Sequence, residues 1–130
     1  MRRYATDTHT LLWYFAAPER LGNGAAVAFN DVNEGKALLF ISVIVLAELF
    51  LVLEKHRYPL NFDAVLKELQ ASSNVSLVEI SLENILACRA LTAIPDLHDR
   101  IIVAEAMAQN ASLITFDQAI TSAGVIPIIW

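Results

Sequence analysis

Asp7, Glu48, Asp99 and Asp117 stand in apolar or strand-end settings, whereas most of the chain's fourteen acidic residues lie in polar stretches. Asp7 follows the short run Arg3 to Thr6, and Glu48 is flanked by Ala47, Leu49 and Phe50. Asp99 leads into Ile101-Ile102-Val103-Ala104, and Asp117 follows Leu113-Ile114-Thr115. Carboxylates brought together oppose one another's ionisation and raise one another's pKa. A hard divalent cation removes that penalty, and an all-oxygen donor set suits Mg²⁺ or Mn²⁺ rather than Zn²⁺. Such an ion lowers the pKa of a bound water, orients a phosphate and stabilises a leaving oxygen. The chain has no Walker loop and no G-x-S-x-G elbow, and its single Cys88 and three histidines, His9, His56 and His98, do not have zinc spacing. Metal-assisted phosphodiester hydrolysis is the chemistry these residues best support. Each aspartate also has an ordinary alternative as a helix N-cap. The ordinary alternative is weakest for Glu48, because a lone Glu in a buried helix is costly without a charge or metal partner. Asp96 competes with Asp99, which is preferred because it leads directly into the apolar helix.

The elements that must position these acids alternate between β-type runs and helical patterns, which predicts an α/β layer fold with a mainly parallel sheet. The expected order is a strand at 3–6, helices at 8–17 and 25–33, a strand at 38–41 and a helix from 43 to about 55, with Ser42 as its N-cap. A helix reaching Gln70, a strand at 75–80 and helices at 82–92 and 99–109 follow. The chain then gives a strand at 112–115, a short helix at 117–122 and a strand at 126–129, where Pro127 argues for a sheet edge. Ligands in such sheets bind beyond the carboxyl ends of the strands. Asp7 and Asp117 fall there directly, Asp99 falls at a helix start on the same side, and Glu48 can lean back toward that edge.

At 130 residues the chain suits one domain spanning 1–130, and 56% hydrophobic residues exclude disorder. A net charge of −5 excludes a general nucleic-acid coat, although metal ions can supply the positive charge a phosphate needs. One cysteine permits no internal disulfide, which fits a reducing cytoplasm. Ala37 to Leu53 is nearly all apolar, but a membrane helix needs roughly 20 such residues, and Ser42 and Glu48 interrupt this stretch. A buried strand followed by a buried helix explains it better, and no membrane association is expected. The helix over 43–53 is apolar on almost every face, which predicts a homodimer interface on the side turned away from its own sheet.

The chain resembles the PIN-domain family, especially the VapC-like toxin ribonucleases of bacterial toxin–antitoxin pairs. The resemblance rests on Asp7-Thr8-His9-Thr10-Leu11-Leu12-Trp13, on Ser42 followed by Glu48-Leu49, and on His98-Asp99-Arg100-Ile101-Ile102-Val103-Ala104-Glu105-Ala106. It continues through Thr115-Phe116-Asp117 to the tail Val125-Ile126-Pro127-Ile128-Ile129-Trp130. It implies a three-layer α/β/α fold and a Mg²⁺- or Mn²⁺-dependent endoribonuclease. The metal ligands would be the acids matching Asp7, Glu48, Asp99 and, less uniformly, Asp117. Thr115 would hold the last acid, with looser supporting roles for Thr8 and Ser42. Arg100 would face phosphate or pair with an acid such as Glu105. An RNA substrate, a cognate antitoxin and a homodimer are also implied. The rival reading is a catalytically weak PIN-fold binding module acting through antitoxin and DNA, or in RNA-processing complexes. An aspartyl-phosphate enzyme is disfavoured, because His9 occupies the position two residues after Asp7 where such enzymes place a second Asp.

Overall fold

The computed structural model describes residues 1–130. Five strands, β1 (Arg2–Thr6), β2 (Ala37–Ser42), β3 (Val75–Val78), β4 (Ser112–Ile114) and β5 (Ile128–Ile129), form one sheet in the order β3-β2-β1-β4-β5. Every pairing is parallel. Seven α-helices complete a three-layer α/β/α arrangement: α1 (Thr8–Ala16), α2 (Asn23–Asn33), α3 (Val43–His56), α4 (Phe62–Ala71), α5 (Leu82–Ala87), α6 (Leu97–Ala108) and α7 (Gln118–Ala123).

The order reverses at β1, which pairs with β2 on one side and β4 on the other. That reversal opens a crevice at the carboxyl ends of β1 and β4, the usual ligand position in an open α/β sheet. β5 is an edge strand, and Pro127 stands just before it with its carbonyl accepting the Leu113 N–H at 2.9 Å, so its missing N–H falls where the ladder begins. The apolar stretch 37–53 divides at Ser42 into β2 and α3. The Ser42 hydroxyl accepts from the Ile44 N–H at 3.2 Å and thereby starts the helix. No helix is long and apolar enough to cross a membrane.

Two element boundaries differ from expectation near the crevice. The helix expected to begin at Asp99 begins at Leu97, and its N-cap is Asp96, whose side chain accepts from the Asp99 N–H at 3.0 Å. The helix expected over 82–92 ends at Ala87 and tightens into a 3-10 turn over Cys88–Ala90. Within its own chain α3 is enclosed on one side. Only Val45 and Leu49 are buried, while Phe50 and Leu51 are each 48% exposed.

Arg100 resolves differently from both of its expected roles. Its side chain donates to the carbonyls of Ile94 and Cys88, so it faces neither the crevice nor Glu105. It ties the segment before α6 to the helix's first turn. Glu105 is 3% exposed, and neither carboxyl oxygen has a hydrogen-bond partner. Burial pushes its pKa up, and nearby Ser42 eases this only in part, making no hydrogen bond of ordinary geometry. A raised folded-state pKa means that stability falls as pH climbs from the ordinary carboxyl range through the raised value. Glu105→Met is therefore expected to stabilise the fold at pH 8 by about 1–3 kcal/mol, the cost of an unsatisfied buried polar group. It should change little at pH 4. Thermal melts at the two pH values check this, and equal melting temperatures at pH 8 would refute the buried-charge account.

Candidate active site

Asp7 is the residue at which β1 passes into α1. Its Oδ1 accepts the Thr10 N–H at 3.0 Å and caps α1, while its Oδ2 accepts the Thr115 hydroxyl. Capping and site membership are therefore compatible, because a carboxylate has two oxygens. Asp117 repeats the arrangement after β4. Its Oδ1 accepts the Ile120 N–H at 2.9 Å to cap α7, and its own N–H donates to Thr115 Oγ1 at 3.0 Å. Thr115, 1% exposed, thus joins the two strand ends through one hydroxyl.

Glu48 lies half-buried in the second turn of α3 and reaches back toward β1. Thr8 Oγ1 donates to its Oε1 at 2.7 Å, and His98 Nδ1 lies 3.1 Å from its Oε2. Its longer side chain is needed because α3 starts beyond β2, one strand away from β1. Asp99 is in the first turn of α6 with its carboxylate free of protein hydrogen-bond donors. Its pKa is pushed up to about 6, first by burial and then by Asp96, Asp117, Asp7 and Glu48.

All four predicted acids meet in one place. Asp7, Glu48, Asp96, Asp99 and Asp117, with Thr8 and His9, line a cavity of about 250 Å³ that no Lys or Arg lines. Asp96, the competitor of Asp99, lines it as well, so the choice between them was not exclusive. Ser42 lies at the foot of α3 as its cap rather than among the lining residues, and Arg100 is turned away. His9 and His98 were missed as neighbours of the acids. His9 is two residues from Asp7, and His98 directly precedes Asp99, but only the packing of α1, α3 and α6 brings them to the cleft.

The donor set fits a hard cation. Five carboxylates with no Lys or Arg among them gather negative charge, and burial together with that charge raises the Asp99 pKa. No three acid, histidine or cysteine side chains form a ready-made ligand cluster. An all-oxygen donor set of this kind fits a hard divalent cation that keeps part of its water shell.

Among solved structures the chain is similar to VapBC2 from Rickettsia felis bound to a promoter DNA fragment. The identity is 18%, the TM-score 0.71, and the match covers 97% of this chain and 96% of that one. It is likewise similar to DNA-bound VapBC from Salmonella typhimurium, at 18% identity and a TM-score of 0.71, covering 98% and 97%. The Mycobacterium tuberculosis toxin VapC20, described as cleaving the sarcin-ricin loop, matches at 16% identity and a TM-score of 0.65, covering 95% and 99%. At these identities the likeness speaks for the fold. No curated protein sequence matches the chain. The family model of the PIN domain matches residues 4–125, nearly the whole sequence. The chain belongs to the PIN-domain family.

Proposed function

We propose that the chain is a divalent-metal-dependent endoribonuclease and the toxin of a toxin–antitoxin pair. The observation that carries this reading is the cleft of five acids, with no Lys or Arg in its lining, at the carboxyl ends of β1 and β4. Similarity to chains of toxin–antitoxin assemblies, and to a toxin described as cleaving the sarcin-ricin loop, supports it.

Asp7 and Asp99 would hold the ion, with Glu48 and Asp117 alongside. When bound, a divalent cation supplies an acidified water and a clamp for phosphate oxygens. The protein's part is positioning. Thr115 fixes Asp7 and the backbone of Asp117, while Thr8 and His98 hold the two oxygens of Glu48. Arg100 steadies the entry to α6 and with it the first turn that carries Asp99.

Purified chain free of any partner should cut RNA with Mg²⁺ or Mn²⁺ and lose that activity in EDTA. Cleavage that persists in EDTA would remove the metal. Failure to cut any RNA with metal present would favour a PIN-fold binding module instead.

We further propose a cytoplasmic homodimer that binds a protein antitoxin. The reducing compartment accords with the lone, buried Cys88. The exposed Phe50 and Leu51 of α3, together with Ile80, Leu82 and Leu86 at and around α5, leave apolar surface that a second copy would cover. Light scattering after size exclusion should give twice the 14.3 kDa chain mass. A monomer at micromolar concentration would refute the dimer. A short reading frame immediately upstream of the gene, encoding a co-purifying partner, is the expected mark of the antitoxin.

A further inference from the structure

Beside the acidic cleft lies a second cavity of about 170 Å³, lined by Asp7, His9, Thr10, Trp13, Phe116 and Asp117. Two of its walls are the same aspartates, so whatever fills it lies directly against the acids. Apart from Thr10, its other walls are the rings of His9, Trp13 and Phe116. Phe116 stands between Thr115 and Asp117 and is 54% exposed, unusual for a phenylalanine fixed between two site residues. Trp130 lies 5.1 Å from the Phe116 ring at a 33° tilt and meets Trp13 edge-on at 5.8 Å. It buttresses both lining rings from behind.

This buttress is built in. A Cβ on Gly22 would come within 2.6–2.8 Å of the Trp130 ring and main chain, and one on Gly24 within 2.6 Å of its carbonyl. The Gly24 N–H donates to that same carbonyl at 3.2 Å. Two side-chain-free positions, the N-cap and first turn of α2, thus let the start of that helix close on Trp130 and fix it. Arg20 lies over the Trp13 ring at 5.5 Å, placing a cation at the rim of an otherwise acidic region.

We propose that Phe116, backed by Trp130 and flanked by Trp13, is a stacking platform for an unpaired RNA base next to the scissile phosphate. This inference rests on the ribonuclease reading above and names what the same site recognises. Trp130 packs at a tilt against Phe116 and steadies its ring, and the exposed part of that ring is free to take a base. Unstacked bases are read in this way in single-stranded RNA. A base is neutral, so the acidic walls do not repel it, and Arg20 is placed for a flanking phosphate. Loss of a stacked base costs between about fivefold and a hundredfold in affinity.

Both tryptophans of the chain belong to this cluster, so all tryptophan emission reports on it. The probe is a set of short single-stranded RNAs titrated onto the Asp99→Asn chain, with abasic RNAs of the same length as controls. The expected result is saturable quenching by RNA with bases and little by abasic RNA. Phe116→Leu should weaken it five- to a hundredfold and Phe116→Tyr should retain it. With Asp99 intact, Phe116→Leu should raise KM for RNA more than it lowers kcat, and Phe116→Tyr should restore it. Equal quenching by abasic RNA, no quenching by any RNA, or unchanged KM in Phe116→Leu would each overturn the platform. These outcomes differ from failure of the ribonuclease reading, in which the wild-type chain cuts no RNA in Mg²⁺ whatever the fluorescence shows.

Discussion

Asp99→Asn is expected to lower RNA cleavage by about a thousandfold or more while raising the melting temperature of the metal-free chain. Both effects have one cause. Asp99 is half-buried among four other carboxylates, and its pKa of about 6 records how strongly that setting resists a further negative charge. A rise from the ordinary aspartate value to about 6 corresponds to roughly 3 kcal/mol. Solvent screening at this partly open position reduces it to about 1–2 kcal/mol of stability. The folded-state pKa is raised, so the cost is absent below the ordinary aspartate range, grows as pH rises and is complete above about 6. At pH 7.5 the asparagine variant escapes it, and at pH 3.5 the two chains should melt together. The same charge that opposes ionisation in the cleft would attract a cation and order the reacting groups, hence the large expected loss of activity.

Metal should reverse the order of stabilities. A ligand that binds only the folded chain stabilises it by about 2.7 kcal/mol at one hundred times its dissociation constant. Wild-type chain should therefore gain several degrees in Mg²⁺, and Asp99→Asn should gain much less. Because the ion competes with the proton on Asp99, metal affinity and cleavage should both rise as pH passes upward through about 6. Parallel melts with and without Mg²⁺, and a pH–rate profile, check this. An Asp99→Asn chain that cuts RNA at the wild-type rate, or responds to Mg²⁺ as wild type does, would take Asp99 out of the site.

What could be read from the residues depended on how local the cause was. Asp7 and Asp117 were legible because each follows a β-type run and directly precedes a helix, so the chain itself carries them to the sheet's carboxyl edge. Ser42 was legible for the same reason, as the residue between an apolar strand and an apolar helix. Glu48 was marked by its apolar neighbours, and its half-burial with two hydrogen-bonded oxygens explains how a carboxylate is tolerated there. The Asp96–Asp99 pair was ambiguous because Leu97, 59% exposed, hides the first turn of α6 from a periodicity argument. Both residues then proved to line the cleft, one as cap and one in the first turn.

Contacts between distant residues were not legible. The turn of Arg100 toward Ile94 and Cys88 depends on the 3-10 turn that replaces the end of the helix expected over 82–92. The meeting of His98 with Glu48 spans fifty positions and needs α3 and α6 to pack. Gly22 and Gly24 looked like loop punctuation, yet their use is the close approach of Trp130, more than a hundred residues away. The all-apolar character of α3 was read correctly, but it does not decide which face is covered. Its own fold buries only the stripe containing Val45 and Leu49.

Thr115→Val should cost about ten- to a hundredfold in activity, the usual consequence of removing a partner that orients a ligand. Valine nearly matches threonine in shape, so the substitution tests the hydroxyl alone. That hydroxyl donates to Asp7 and accepts the Asp117 N–H at 3.0 Å, in a position only 1% exposed. Without it, one oxygen of Asp7 can swing and the Asp117 N–H loses its partner. An unsatisfied buried donor adds about 1–3 kcal/mol of lost stability. Thr115→Ser keeps the hydroxyl and should recover most of the rate. The diagnostic measurement is the apparent Mg²⁺ affinity, because a residue that positions Asp7 must weaken metal binding as well as turnover. Should Thr115→Val melt lower but bind Mg²⁺ and cut RNA as wild type does, the hydroxyl serves only to join β1 to β4. Parallel losses in metal affinity and rate, restored together by serine, would place Thr115 as the residue that keeps the two strand-end aspartates aimed into one cleft.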